Sequence, residues 1–455
     1  QQTWLRRGHR RRGGGAIYGG VVGAHGGASL LPAFNGEGCQ PAQRVGAGVE
    51  RLQRVDRLLH GLLGVSAVGA CRLAHLLGGQ GTIPCVAQAS LESGWICELR
   101  RSLLEWFAVH QRPTPWRSTP DPYRVWVAEV MLQQTQTATV IPYYERFMER
   151  FPTVQALADA PLEEVLRYWE GLGYYARARH LHRAAQLIAQ NGGQLPPTAD
   201  RLRELPGIGA YTAGAIASIA FGQPTPVVDG NVTRVLARLL WLKGDLKAHA
   251  AQKRLWQLAQ ELVDPQQPGA FNQAIMELGS TVCLPAQPRC GVCPVSHLCA
   301  AYQRGQPTAV PEAVRRPATQ ARVDVSALIL REGRYLLARR APEGVWGGLW
   351  EFPRATHDER ESLESVALRA AAQLGIQIEP LQTLTSVQHA VTTSRIRLYG
   401  YLCQWVAGEA QPTGAYDAAE WVAPDTLKDY PLSAPQRRLA HTLTQQGGQM
   451  SLRQV

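Results

Sequence analysis

Apolar residues recur at helical spacing from about Cys97 to about Tyr302. Proline and glycine interrupt this pattern repeatedly, for example at Pro113–Pro122 and Asn191–Pro197, so we expect a series of helices rather than one long helix. Alternating runs of β-branched residues, which would indicate strands, are few here. The pattern therefore predicts an all-α region.

The pattern changes after the helical region. Strands are predicted at Val323–Leu330, Tyr335–Ala338 and Arg395–Gln404. Helices are predicted at Ser362–Leu374 and Ala434–Thr444. This order of elements predicts a small α+β domain, and the chain as a whole is expected to be multidomain.

The patterns divide the chain into five segments. Residues 1–95 are Gly/Arg-rich, and we expect a disordered or non-native extension there rather than a nucleic-acid-binding arm. Residues 96–302 are the helical core, 303–321 a proline-containing linker, 322–445 the α+β domain, and 446–455 a disordered tail.

Composition and charge narrow the function. The formal net charge is +11, from 47 basic and 36 acidic residues, which favours a polyanionic partner. No apolar run is long enough for a transmembrane helix, so we expect no membrane partner. Nine cysteines in 455 residues are too few for a disulfide framework. Four of them, described next, would have to stay unpaired to bind a metal, which indicates a reducing cytoplasm.

Four of the cysteines form one cluster with the spacing C-x6-C-x2-C-x5-C: Cys283, Cys290, Cys293 and Cys299. Four thiolates so close in sequence can enclose one metal centre, either zinc or an iron–sulfur cluster. Zinc sites usually use two short C-x2-C turns, whereas one long and one short loop favour the larger cluster. Four buried free cysteines are the improbable alternative.

A lone carboxyl group marks the helix Val125–Leu132, where Glu129 is the only charged residue. It is either a buried Glu with a structural hydrogen bond or a general acid kept protonated by desolvation. The polar run Gln133–Gln136 follows and suits base edges or phosphates, or simply a solvated helix end.

A second carboxyl group follows a predicted hairpin. In Leu205–Gly209, Gly207 and Gly209 permit a tight turn, and the next helix begins at once, with free N–H groups that can hold a phosphate. Asp229 then stands where an N-cap belongs, before Val232–Leu240. Taken singly, an ordinary turn and a capping Asp are the commoner interpretations. The order hairpin, helix, Asp and four cysteines is far more specific.

Together these motifs resemble the MutY adenine DNA glycosylases, and the resemblance runs from about residue 98 to 445. It is carried by Tyr123–Thr137, Gly171–Arg179, the Leu205–Gly209 hairpin, Asp229–Asn231 and the cysteine spacing. It implies a helix–hairpin–helix core with a [4Fe–4S] cluster on the four cysteines. It also implies removal of adenine mispaired with 8-oxoguanine or guanine in duplex DNA, by a monomer in the bacterial cytoplasm at the nucleoid.

The resemblance also implies residue roles. Glu129 would protonate adenine at N7, Asp229 would stabilise the positively charged sugar, Tyr211 would support the transition state and Asn231 would orient Asp229. Gln133 and Tyr174 would fill the base stack when adenine leaves it. The other expected DNA contacts in the core are Gln134, Leu172, Gly207, Gly209 and Arg289.

The C-terminal domain resembles the Nudix-like domain of the same family. Gly347–Pro353 matches the start of a Nudix box, but Arg369, Ala372 and Gln373 replace the expected metal-binding carboxylates. Nucleotide hydrolysis is therefore not expected. The family senses 8-oxoguanine partly through a Phe-Ser-His loop, for which this chain has Val391–Thr393, so Thr392 and Thr393 are the expected lesion contacts.

Two rival functions remain open. A bifunctional or thymine-directed glycosylase of the same superfamily is disfavoured, because Tyr211 replaces the hairpin-helix Lys and no Lys precedes Lys243. The acid Glu129 also argues against a pyrimidine-directed enzyme, which needs no N7 protonation. The non-enzymatic rival is a DNA-binding iron–sulfur protein.

Overall fold

The structure is a computed structural model that describes residues 91–313, 319–358, 360–391 and 393–450, with side chains to residue 445. Most of the predicted extension, Thr392 and the end of the predicted tail lie outside the described residues. Among the described helices, none is both long and apolar enough to cross a membrane.

Helices make up most of residues 91–303, as the apolar pattern predicts. They are α1 (Ser93–His110), α2 (Pro122–Leu132), α3 (Thr137–Arg150), α4 (Val154–Asp159), α5 (Leu162–Trp169), α6 (Ala176–Gln190), α7 (Ala199–Leu202), α8 (Ala210–Phe221), α9 (Gly230–Leu239), α10 (His249–Leu262), α11 (Pro268–Thr281) and α12 (Ala300–Gln303). The cysteine-rich segment between α11 and α12 contains two short 3-10 turns, Cys290–Val292 and Ser296–Leu298.

Two hydrophobic clusters organise the helical core. One is built mainly by α2 to α6, and the other by α1 and α9 to α11. Helix α8 joins them, because Ile216 packs in the first cluster and Ala215 in the second. The first residues of α8 therefore lie where the two halves of the core meet.

The C-terminal domain is built on a mixed sheet. Its elements are β1 (Gln320–Arg331), β2 (Arg334–Arg340), β3 (Trp350–Glu351), β4 (Arg354–Thr356), α13 (Leu363–Ala372), β5 (Gln377–Val391), β6 (Ser394–Ala407), β7 (Tyr416–Val422) and α14 (Ala434–Met450). The strand order is β3-β2-β1-β6-β5, with β4 paired to β1 and β7 to β2. Strands β1 and β6 pair in parallel, with Val325 opposite Tyr399, and the other pairs among the described strands are antiparallel. Val325 packs on the α13 side of the sheet, and Leu328 packs on the opposite side.

The sequence pattern did not predict β5 or β7. Most side chains of β5 are exposed, and its pairing with β6 shifts register at three points, from Gln377/Ile378 to Thr383/Thr385. These shifts break the strict two-residue alternation by which a strand is recognised in sequence.

The predicted linker packs on the core along part of its length. Val310 is buried, and its carbonyl oxygen accepts a hydrogen bond from Arg238 Nε at 3.1 Å. The two domains also touch directly, since Leu349 of the C-terminal domain belongs to the first helical cluster. The segment after α12 is therefore not a free spacer.

Candidate active site

The Glu129 carboxyl group lies at the meeting point of the two helical clusters. Its side chain projects from α2 and is only 5% exposed. The Tyr211 hydroxyl donates a hydrogen bond to Glu129 Oε2 at 2.9 Å. Burial is the main cause that raises the pKa of Glu129 to about 7; the Tyr211 hydrogen bond and Arg117 lower the pKa, and nearby Asp229 adds to the rise. A protonated carboxyl group is therefore present near neutral pH.

Tyr211 holds that carboxyl group from the first turn of α8. Gly209 is the N-cap of α8, so the hairpin determines the position of the first turn of the helix and of the Tyr211 side chain on it. The hydroxyl also lies 3.2 Å from Met276 Sδ. Burial, with Glu129 and Asp229 close by, raises the pKa of Tyr211 well above its usual value, so the phenol keeps its proton and remains a donor.

Asp229 caps α9, as its sequence position predicts. Its Oδ1 accepts a hydrogen bond from the Val232 backbone N–H at 2.7 Å, and its Oδ2 accepts one from Asn231 Nδ2 at 3.0 Å. Both carboxylate oxygens are therefore fixed in direction. The capping and the catalytic interpretations are compatible, because the capped side chain still lines the cavity that contains Glu129.

Asn231 is in turn held by the next arginine of α9. Arg234 Nη2 donates to Asn231 Oδ1 at 2.8 Å, and Arg234 Nε donates to the Cys283 carbonyl oxygen at 2.8 Å. One guanidinium thus touches both the carboxylate network and the first cysteine of the cluster. Arg234 was not predicted as a site residue from the sequence.

A cavity of about 320 Å³ opens beside these groups. Its walls come from both helical clusters, and the lining includes Glu129, Tyr211, Asp229, Trp116, Gln273 and Glu277. This volume lies at the lower end of the range typical of small-molecule sites. The cavity suits a single flat group such as a nucleobase.

The cavity also contains an ion-paired carboxylate that sequence reasoning missed. Glu277 is 2% exposed, and Arg117 Nη2 lies 2.8 Å from its Oε2. Burial alone would raise the pKa of Glu277, but the hydrogen bonds and charges of Arg112 and Arg117 more than offset it, so the pKa is lowered. The signal was available, because Glu277 is the only charged residue in the helix Pro268–Thr281.

The glutamines after α2 lie at the edge of the same region. Gln133 Nε2 donates to Thr212 Oγ1 at 3.0 Å, and Gln134 has a positive φ of 58°. Arg177 Nη1 caps this helix end by donating to the carbonyl oxygens of Met131 at 2.9 Å and Gln133 at 2.6 Å. Arg177 is a second positioning residue that was not predicted from the sequence.

Tyr174 protrudes from the turn between α5 and α6. Its side chain is 51% exposed, and its φ of 49° is rare for a residue other than glycine. Gly171 and Gly173 also have positive φ values, which glycine adopts without strain. The Arg177 guanidinium lies 5.4 Å from the centre of the Tyr174 ring. The expected protruding aromatic side chain is thus present, and the Arg177 guanidinium packs against its ring.

Leu172 does not reach the surface. Its side chain is buried in the first helical cluster, because the turn on which it lies folds its one aliphatic residue inward. Its carbonyl oxygen accepts a hydrogen bond from Arg177 Nη2 at 3.3 Å. In this structure the side chain supports the turn that carries Tyr174, and the DNA contact of Leu172 stays a prediction.

The hairpin glycines are exposed, as a phosphate-binding turn requires. Gly207 has a φ of 77°, and a Cβ atom there would lie 2.6 Å from His180 Cβ. Gly209 faces open space, since a Cβ atom added there would meet nothing within 4 Å beyond its neighbours in the chain. The hairpin therefore packs closely against the core at Gly207, whereas Gly209 has no neighbouring group in front of it.

The four cysteines line one small cavity beside α9. Arg238 Nη1 donates to Cys283 Sγ at 3.3 Å. Burial is the main cause that raises the pKa of Cys293 to about 12; the other three cysteines add to the rise, and a backbone hydrogen bond from Val295 lowers the pKa. Thiolates are suitable donors for a cationic metal centre, but among the described residues no group of three or more possible ligands is arranged to hold a metal ion. Arg289, at the edge of this segment, is exposed.

The C-terminal domain has an ion pair where a Nudix box has metal-binding carboxylates. Arg369 Nη2 lies 2.6 Å from Glu361 Oε2. Thr393 is exposed in the turn between β5 and β6, next to the undescribed Thr392. Thr393 is not among the residues that line the Glu129 cavity.

Comparison with known proteins decides the family. A sequence model of the HhH-GPD superfamily base excision DNA repair proteins matches residues 127–261, and one of the NUDIX domain matches residues 325–442. The adenine DNA glycosylase of Rattus norvegicus is 37% identical over 401 residues, covering 76% of this chain and 77% of the rat protein. The chain belongs to the adenine DNA glycosylase family. The Homo sapiens family member is 39% identical over 407 residues, covering 76% of this chain and 73% of the human protein.

The family extends to bacteria. The adenine DNA glycosylase of Buchnera aphidicola subsp. Baizongia pistaciae is 35% identical over 257 residues, covering 56% of this chain and 73% of its own length. Within the adenine DNA glycosylase family, the cavity described above is thus the candidate active site of this chain.

The raised pKa of Glu129 predicts a pH-dependent stability. The folded-state value is about 7 and the usual value 4.5, so the stability due to the neutral carboxyl is complete below about pH 4.5 and lost by about pH 7. The Glu129→Gln variant has no carboxyl group at this position, so it does not lose this stability as the pH rises. We expect its unfolding free energy, relative to the parent chain, to rise by roughly 2–3 kcal/mol between pH 5 and pH 8.

Denaturant unfolding at the two pH values measures this change. Glu105→Gln, at an exposed position on α1, is the matched control and should show no comparable rise. An equal pH dependence in Glu129→Gln and the parent chain would contradict the buried, neutral carboxyl.

Proposed function

We propose that this enzyme removes adenine from duplex DNA by acid-assisted hydrolysis of the N-glycosidic bond, as one step of base excision repair. The observation that carries the proposal is the buried Glu129 carboxyl, which is hydrogen-bonded to Tyr211 and lines the same cavity as the capped Asp229. Two carboxyl groups in different environments are what this reaction needs.

The reaction follows from these groups. The protonated Glu129 carboxyl donates its proton to N7 of an adenine turned into the cavity, so the base leaves as a neutral molecule. The electrons of the glycosidic bond go to the base, and positive charge develops on the sugar, where the Asp229 carboxylate stabilises it. Water then adds to the sugar, and the Glu129 carboxylate accepts a proton from it.

Tyr211 and Asn231 act on the two carboxyl groups rather than on the substrate. The Tyr211 hydroxyl keeps the Glu129 carboxyl in one orientation and contributes a dipole next to the developing charge. The Asn231 amide donates to one Asp229 oxygen while the Val232 N–H holds the other. Orientation before reaction avoids reorganisation during it, which is a main source of catalytic rate.

We propose that the DNA is held by the hairpin and by the exposed residues around the cavity. The free N–H groups at the start of α8, behind Gly207 and Gly209, suit a phosphate, and Arg289 suits another. Gln133, Gln134 and Tyr174 would enter the base stack in this proposal. Their insertion would offset the cost of extruding adenine, which is a few kcal/mol.

The proposed substrates are 8-oxoguanine:A and G:A mispairs, bound by one monomer. The β5–β6 turn of the C-terminal domain supplies the lesion contacts in this proposal, through Thr392 and Thr393. Gln388, exposed on β5 near the turn, and His389 are further candidates for the same role. Hydroxyl and amide groups can hydrogen-bond to the altered base edge of 8-oxoguanine.

We further propose that Cys283, Cys290, Cys293 and Cys299 hold a [4Fe–4S] cluster. The support is the spacing of the four cysteines, their place in the lining of one cavity, and the Arg238 guanidinium, which donates toward Cys283 Sγ. When bound, the cluster would fix the fold of the Leu284–Arg289 loop. No step of base release passes through it in this proposal.

Glu129→Gln and Asp229→Asn should each abolish base release while leaving duplex affinity nearly unchanged. Phosphate contacts set the affinity, whereas these two groups act on the transition state. Single-turnover release of adenine and a gel or anisotropy measurement of binding check both parts. Efficient borohydride trapping of a covalent enzyme–DNA adduct by the parent enzyme would contradict the monofunctional mechanism.

Protein purified without oxygen should be brown and contain about four iron atoms per chain, as expected for a [4Fe–4S] centre. Iron analysis and the visible absorption spectrum are the measurements. Cys293→Ser should lose iron, whereas Cys403→Ser, at a buried cysteine in the other domain, should retain it. One zinc ion per chain with no iron would contradict the proposed cluster.

Replacing both Thr392 and Thr393 by Ala should lower the ratio of release rates on 8-oxoguanine:A and G:A. A lost base-edge contact is worth about 1–3 kcal/mol, so the ratio should fall by roughly tenfold or more. The rate on G:A should stay nearly constant, because the Glu129 cavity is untouched. An unchanged ratio would mean that other residues read the lesion.

A further inference from the structure

The turn that carries Tyr174 is held from the C-terminal domain as well as from the core. Glu170, at the start of the turn, receives two hydrogen bonds from Arg437 of α14: Nε to Oε1 at 2.6 Å and Nη2 to Oε2 at 2.8 Å. The Leu432 backbone N–H also donates to Glu170 Oε2, at 3.4 Å. The Glu170 carboxylate thus binds the C-terminal domain through a bidentate, charge-assisted contact with Arg437.

The other end of the turn reaches the same point of the C-terminal domain. The Tyr175 hydroxyl donates to the Leu432 carbonyl oxygen at 3.3 Å, and the Gly171 N–H donates to that hydroxyl at 3.4 Å. Residues on both sides of Tyr174 therefore meet the backbone of Leu432.

The backbone between these two anchors is strained. Tyr174 has a φ of 49°, a conformation that a residue with a side chain keeps only when its surroundings enforce it. From the core, Trp169 Nε1 donates to the Gly173 carbonyl oxygen at 3.1 Å, and Arg177 Nη2 donates to the same oxygen at 3.2 Å. The core therefore holds the middle of the turn through the Gly173 carbonyl oxygen, and the C-terminal domain holds its two ends through Glu170 and Tyr175.

Arg437 is itself held rigidly before it meets Glu170. Its Nη1 donates to the Leu427 carbonyl oxygen and its Nη2 to that of Tyr430, each at 2.6 Å. The side chains of Arg437 and Glu170 are 27% and 18% exposed, so solvent screens this pair less than a surface pair. A guanidinium with its orientation already fixed loses little entropy when it binds the carboxylate.

We propose that the Glu170–Arg437 pair is a positioning contact through which the C-terminal domain holds the Tyr174 turn in the conformation that enters the base stack. The proposal rests on the proposed function, in which Tyr174 occupies the space left by adenine. Neither residue lines the cavity that contains Glu129. Loss of the pair lets the strained turn relax and lowers the fraction of complexes in which adenine is extruded.

The interface offers a matched control. Arg339 Nη1 lies 2.7 Å from Glu163 Oε1, which is a second ion pair between the two domains. Glu163 lies in the first turn of α5, seven positions before Glu170 and away from the Tyr174 turn. Glu163→Gln and Glu170→Gln therefore make the same chemical change to an interdomain ion pair, but only the second one touches the turn.

The test compares full-length Glu170→Gln, Glu163→Gln and parent enzyme on a G:A duplex. We expect Glu170→Gln to release adenine about tenfold more slowly in single turnover, the loss expected for one charge-assisted contact, with duplex affinity unchanged. With 2-aminopurine as the target base, its fluorescence increase on binding should be smaller. Glu163→Gln should stay within about twofold of the parent in both measurements.

A Tyr174→Ala background tests whether the pair acts through this side chain. The double variant Tyr174→Ala/Glu170→Gln should be no slower than Tyr174→Ala alone, because the contact then has nothing to position. Equal effects of Glu170→Gln and Glu163→Gln would overturn the proposal, as would a full tenfold loss in the Tyr174→Ala background. If the parent enzyme releases no adenine, the proposed function fails, and the 2-aminopurine signal still decides whether the pair positions the turn.

Discussion

The Glu129 carboxyl group is 5% exposed and accepts one hydrogen bond, from the Tyr211 hydroxyl. Burying it is unfavourable for the ionised form, and this cost is what keeps the group protonated near neutral pH. Much of the helical core contributes to the burial of Glu129. Most side chains of α2 are buried by the surrounding core, and the hairpin before α8 places Tyr211 within hydrogen-bonding distance of Glu129.

The second carboxyl group obtains its position by a different route. Asp229 begins α9, and the N–H of Val232 in the first turn holds one of its oxygens. The same helix carries Arg234 and Arg238, which donate to the backbone or sulfur of Cys283. One helix therefore connects the active-site carboxylate to the cysteine segment. A metal centre on those cysteines would stabilise the end of α9 opposite Asp229.

The local features of the site were predictable from sequence, because each depends on neighbours in the chain. Glu129 stood out as one charge in an apolar helix, and Asp229 stood out as a cap before a helix. The NUDIX and helix–hairpin–helix domains were likewise predicted from motifs, and the family comparison confirms both. Element type followed from periodicity wherever one face of the element was uniformly apolar.

Other features depend on residues far apart in sequence and were not predicted. The Arg117–Glu277 pair joins positions 160 residues apart, and nothing near either one signals the other. Leu172 was expected to contact DNA from the family resemblance alone, and local sequence does not reveal that the turn buries its side chain. Strand β5 was not predicted because the register shifts in its pairing with β6 interrupt the alternation of apolar and polar residues.

The central claim is that the buried, protonated Glu129 is the acid that releases adenine. The most direct test is the pH dependence of the single-turnover rate on a G:A duplex at saturating enzyme. We expect a rate that is nearly constant well below pH 7 and falls about tenfold per pH unit above it, as the carboxyl group loses its proton. A rate that stays level up to pH 9, or that rises through pH 7, would contradict this claim.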